Sequence, residues 1–128
     1  VAESDVLLFA GITGDFSPNH IDEAAMAKTS YGGRIAHGAL LVGYMSRAST
    51  LIGDACPALL ASRYPVSLGY DRVRFLKGVR IGDTVSIDYV IGSIDTAKSR
   101  TIAHVEMKNQ RGEVVATATH IMTWLARP

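Results

Sequence analysis

Cysteine is nearly absent from this chain: Cys56 stands alone, which excludes an internal disulfide and a cysteine cage for a metal. It reads as a small buried hydrophobe beside Pro57. An excess of one charge is also missing. The formal net charge is +1, and no block of Lys or Arg supplies the phosphate-tracking surface that nucleic-acid binding requires. No apolar run approaches the roughly 20 residues of a membrane span, and no charged-then-apolar leader opens the sequence. A soluble, cytoplasmic protein without a membrane partner is therefore expected. Repeats, linkers and low-complexity tracts are lacking too, so residues 1–128 are expected to form a single domain, long enough to bury roughly two-thirds of the unfolded surface. The four histidines are scattered, so no metal and no cofactor is expected.

What is present divides by periodicity. Glu3 to Thr13 reads as a short helix, with Ser4 as a possible cap, Asp5 in the first turn and a broad apolar stripe through Val6, Leu7, Phe9, Ala10 and Ile12. Gly14 stops it. Asp22 to Lys28 has the composition of a second short helix, acids first and lysine last. Ala39 to Ile52 is the longest apolar stretch, with Leu41, Met45, Ala48 and Ile52 on one face and Leu40, Tyr44 and Leu51 carrying the apolar surface further round. Such a helix is expected to be wrapped by other elements. From Tyr64 the period becomes two. Strands are predicted over 64–77, 84–94, 101–108 and 114–124, with hairpins at Asp95–Lys98 and Asn109–Gly112. The expected class is α+β, an antiparallel meander curled round one long helix.

Three groups of residues invite chemistry. Thr13 to Asp22 places a carboxylate, Asp15, close to an imidazole, His20, in a stretch that Gly14 and Pro18 should keep free of regular structure. An acid beside a histidine in a rigid loop can activate water. A capped turn with a surface histidine fits the same spacing, and spacing alone does not choose between them. His37-Gly38 leads into the long helix, where backbone N–H groups favour negative charge and the absence of a Cβ admits a ligand. A plain glycine-containing helix entry is the alternative. Arg72 and Arg74 should share one strand face near Lys77 and Arg80, where they either meet a substrate phosphate or form an ordinary solvated surface. His104 and His120 fall in strands and are assigned no role.

Phe9-Ala-Gly-Ile-Thr-Gly-Asp-Phe-Ser-Pro-Asn-His20, then Ile35-Ala-His-Gly38, then Tyr70-Asp-Arg-Val-Arg-Phe75 and Gly82-Asp83 together resemble the MaoC-like dehydratases, which include the (R)-specific enoyl-CoA hydratases. The resemblance covers nearly the whole chain. It implies a hot-dog fold, an antiparallel sheet round a central helix, assembled as a homodimer or a dimer of dimers. It also implies addition of water to a trans-2-enoyl thioester of coenzyme A, or of acyl carrier protein, giving the (3R)-hydroxyacyl product, or the reverse. On that resemblance Asp15 and His20 are catalytic and the Gly38 N–H binds the oxyanion. Ser17, Asn19, His37, Arg72 and Arg74 are the expected substrate-binding residues. Ser17 stands where many relatives carry Asn, and Asn19 where an apolar residue is commoner, which implies an altered substrate preference. The competing readings are a hot-dog thioesterase, disfavoured because Ala39–Ile52 contains no acid, and a non-catalytic partner of an active homologue, disfavoured because Asp15 and His20 are both present.

Overall fold

A computed structural model describes all 128 residues. Five helices precede four strands: α1 (Glu3–Thr13), α2 (Pro18–Ile21), α3 (Glu23–Met26), α4 (Gly38–Asp54), α5 (Pro57–Ser62), β1 (Arg63–Phe75), β2 (Val85–Asp95), β3 (Arg100–Asn109) and β4 (Val114–Ala126). The strands form one antiparallel sheet in the order β1-β4-β3-β2. This is the expected hot-dog arrangement, with one difference from a plain meander. Strands β2, β3 and β4 follow one another through hairpins, but β1 pairs with β4 at the far edge. Residues 76–84 must therefore cross from one edge of the sheet to the other. That crossing is anchored from inside by Val79, 1% exposed, and by an isolated bridge between Ile35 and Arg80.

The core lies between α4 and the inner face of the sheet. Leu41 and Met45 of α4 meet Val105 and Met107 of β3 and Val115, Ala116 and Ala118 of β4, with Val6 of α1 closing the end. Alternate residues of β3 and β4 are buried, as one-sided packing of an antiparallel pair requires. The expectation that α4 is wrapped all round is met on one side only, because four strands cover one face of the helix. Leu51 remains half exposed.

Ser4 is not the cap of α1. Ala2 occupies that position, and its N–H donates to the Asp5 carboxylate at 2.7 Å. Asp5 also accepts from Tyr44 of α4 at 3.0 Å, tying the two helices together. Both bonds hold its carboxyl below the ordinary range, the one from Ala2 most strongly, while burial and Asp5 push the Tyr44 phenol up to about 12.

Strand β1 departs from strict alternation twice, at Leu68 and between Asp71 and Arg74. At the second irregularity Arg72 takes φ 53, the left-handed region that a bulge can accommodate. The common strand face predicted for Arg72 and Arg74 by period two is thereby broken, since one extra residue between two pairing positions changes the phase of all that follows.

Candidate active site

The stretch leaving α1 is built by short-range bonds. Gly14 adopts φ 78 and its N–H caps Ala10 at 2.8 Å, ending the helix. Thr13 Oγ1 donates to Phe9 O and accepts from the Asp15 N–H, and Asp15 Oδ1 accepts from the Ser17 N–H at 3.2 Å. The predicted irregular loop thus ends sooner than expected. Pro18 opens the single turn α2, because proline at a first helical position lacks the N–H that would go unpaired there. That turn carries Asn19 and His20. Arg34 clamps the region from outside, reaching Glu3 of α1 at 2.7 Å and Glu23 of α3 at 3.4 Å.

His20 is buried and precisely tautomeric in its bonding: Nδ1–H donates to Ile35 O at 2.8 Å, since a carbonyl can only accept. Its Nε2 is therefore the basic nitrogen. Asn19 Nδ2 donates to it at 3.1 Å, and Asp15 Oδ2 stands 4.0 Å away. That last gap is too long for a direct hydrogen bond and wide enough for one water touching both. The Asp15 side chain is about half exposed (52%), so the gap faces solvent while the imidazole is sheltered.

His37 lies behind His20, ring on ring at 3.7 Å and 25°, only 2% exposed. Its Nε2–H donates to Asp15 O at 2.9 Å, and Phe9 packs against its other side. The sequence grouped His37 and Asn19 with substrate; the structure places both against the Asp15–His20 pair. Nδ1 of His37 has no partner. Asp15, His20 and His37 bring potential metal-ligand atoms within 4.8 Å of one another. The two imidazoles are stacked, however, so their in-plane lone pairs run in nearly parallel planes and do not converge on one ion, as a tetrahedral centre demands.

Gly38 begins α4, and its N–H has no hydrogen-bond partner. A Cβ there would run into the ring of Phe75. Tyr31, Ile35, Phe75 and Lys77 line a groove of about 160 Å³ beside it. The sequence gave no sign of Phe75 or Tyr31 as site neighbours; each is remote in the chain and reaches Gly38 only through the crossing of residues 76–84. Arg74 precedes Phe75 and donates to its neighbour's carbonyl, Val73 O, while Arg72 sits at the bulge. Neither touches Asp15, His20 or Gly38.

The comparisons agree with this geometry. Residues 1–121 match the model of the MaoC like domain. The chain is 38% identical over 86 residues to the (R)-specific enoyl-CoA hydratase of Rhodospirillum rubrum, covering 67% of this chain and 54% of that protein. It is 34% identical over 100 residues to the 3-hydroxybutyryl-CoA dehydratase of Methylorubrum extorquens, covering 78% and 59%. It thus spans a little over half the length of these two curated relatives. Among solved structures, the (R)-hydratase from A. caviae involved in PHA biosynthesis superposes with a TM-score of 0.79 at 26% identity, covering 95% of this chain and 86% of that one. With the matched domain spanning Val1 to Ile121 and the same fold in its relatives, this chain belongs to the MaoC-like dehydratase family.

Proposed function

We propose that this chain hydrates trans-2-enoyl thioesters to (3R)-hydroxyacyl thioesters, or dehydrates them, using Asp15 and His20 as the acid–base pair. The observation that carries the reading is the 4.0 Å gap between Asp15 Oδ2 and the unprotonated Nε2 of His20, on a ring fixed through Nδ1. A water seated there donates one hydrogen bond to each base and presents a lone pair outward. Its oxygen bonds to C3 of the enoyl group, and the C2–C3 π electrons move toward the thioester oxygen. The pair takes one proton from the water and returns one to C2, so the net change is addition of H and OH.

Negative charge gathers on the thioester oxygen during attack. The free Gly38 N–H and the positive end of the 17-residue helix α4 are suited to stabilise it, and the missing Cβ leaves room for the substrate beside Phe75. Asn19 holds Nε2 in the free chain and yields that lone pair to the water when substrate binds. His37 backs the His20 ring and fixes the Asp15 carbonyl, so both bases keep their spacing. Coenzyme A is the carrier that the names of the two curated relatives support, and Arg74 and Lys77 are the cations near Gly38 to which its phosphates would be drawn.

The test follows loss of the conjugated enoyl absorbance of crotonyl-CoA, with free thiol measured in parallel and Asp15→Asn run beside the parent. Absorbance loss without thiol release, abolished by the substitution, is the expected result. Thiol release would reassign the chain as a thioesterase.

A further inference from the structure

A second polar cluster lies inside the fold, away from Asp15 and His20. His120 of β4 is 1% exposed; its Nε2 bonds Ser67 Oγ at 2.8 Å and its Nδ1 bonds Tyr89 OH at 2.7 Å. Tyr70 stacks on its face at 4.1 Å and 3°. The bulge at Leu68 brings Ser67 and Tyr70 to the same inner face of β1, opposite Met122 and His120. The Tyr70 hydroxyl is buried, faces Ser46 and Ser49 of α4, and bonds to neither. Next to these groups is a cavity of about 200 Å³, lined by Ser46, Ser49, Thr50, Ser67 and Met122, with Asp54 at its end.

Counting hydrogens shows what such a cluster can recognise. Burial pushes the His120 pKa down, so the ring is neutral and carries one N–H. That proton and the hydroxyls of Ser67 and Tyr89 make three hydrogens for two hydrogen bonds. One hydroxyl hydrogen is left over in either tautomer, and Tyr70 holds another. A packed interior does not retain free donors without cost, because each unpaired buried group forfeits its bond to water. The cluster therefore has donors to give and needs an acceptor. No Lys or Arg lines the cavity, and the Asp54 carboxylate opposes an anion, so the fitting acceptor is a neutral oxygen.

We infer that the cavity between α4 and β1 receives a hydroxyl or carbonyl oxygen on the far part of the acyl chain, bound by Tyr70 and by the Ser67–His120–Tyr89 relay. The inference rests on the hydratase reading above and names the class of acyl group that it takes. Ser46 and Ser49 lie eight and eleven residues beyond Gly38, a rise of about 12 to 16 Å along the helix. An extended chain covers that span in roughly ten or more bonds, at about 1.2 Å per bond.

The experiment compares two trans-2-enoyl-CoA thioesters of equal length, one plain and one bearing a hydroxyl about ten bonds from the thioester carbon. Parent protein should favour the hydroxylated substrate about tenfold in kcat/KM, the worth of one good hydrogen bond. Tyr70→Phe and Ser67→Ala should each draw that ratio toward one. Calorimetric binding of the two saturated acyl-CoA counterparts, which needs no turnover, should show the same order. Equal use of the two substrates, preference for the plain chain, or a ratio indifferent to both substitutions would overturn the assignment while leaving hydration standing. Tighter binding of the hydroxyacyl thioester without hydration of either substrate would remove the hydratase reading and keep the cavity.

Discussion

His20 lies over the His37 ring at 3.7 Å, and His120 lies over Tyr70 at 4.1 Å. Both imidazoles are buried, and both have hydrogen-bond partners on each nitrogen. The partners differ in kind. His20 is fixed by a backbone carbonyl, which cannot donate, so its tautomer is set and its basic nitrogen points toward a half-exposed carboxylate. His120 sits between two hydroxyls, each able to donate or accept, so its tautomer is free and neither nitrogen reaches solvent. A histidine becomes a candidate base when one nitrogen is locked and the other faces water beside a charge. It becomes a recognition element when both nitrogens are enclosed by groups that can reverse their roles.

The sharpest way to break this contrast is to remove the basic nitrogen. His20→Gln should lower kcat for enoyl-CoA hydration by about 10²- to 10⁴-fold, the usual contribution of a positioned acid–base group, with near-UV circular dichroism unchanged. Retained turnover would put the chemistry elsewhere. Gly38→Ala comes next. Its methyl would collide with Phe75 and cost roughly 1–3 kcal/mol in urea unfolding, with partial recovery on adding Phe75→Leu. No recovery would mean that Phe75 is not what confines Gly38.

The enclosed histidine should reveal itself in stability. Its folded pKa is depressed, so the unfolded chain binds a proton that the folded chain resists. The stability it contributes is present above the ordinary histidine value of 6.5 and is lost as pH falls below it. His120→Gln should flatten the decline of Tm between about pH 6.5 and 5, and an unchanged slope would place the proton uptake on another group. The smallest effect is expected outside both ring pairs. Asn109, Lys77 and Arg111, in that order, hold the Glu113 carboxyl down at about 2. Its contribution is present above the ordinary 4.5 and fades as pH falls toward 2. Glu113 is solvent-exposed on this scale, so Glu113→Gln should only slightly reduce the acid-induced drop in Tm, and a large change would reveal a structural role for the Asn109 turn.

Much of this molecule was legible before any coordinates. The period of 3.6 in Ala39–Ile52 and the period of two after Tyr64 follow from which side chains must leave water, and α4 and all four strands lie within a few residues of the predicted spans. Gly14 as a helix stop, and the nearness of Asp15 to His20, are local consequences of turn chemistry. What local pattern does not encode is partnership across the chain. The pairing of β1 with β4 instead of β2 depends on where the crossing segment can bury Val79. The bulges that phase Ser67 with Tyr70 and separate Arg72 from Arg74 depend on the fit of β1 to its neighbour. The tautomer of His20 was decided by a carbonyl 15 residues away, and the enclosure of His120 by hydroxyls 31 and 53 residues away. Sequence determined which segments are helix or strand and which short loop carries the acid and the base, because those choices are settled by neighbours along the chain. The tertiary structure alone decided which nitrogen is free and which ring is closed in, because hydrogen-bond partners are supplied by whatever folding brings within 3 Å.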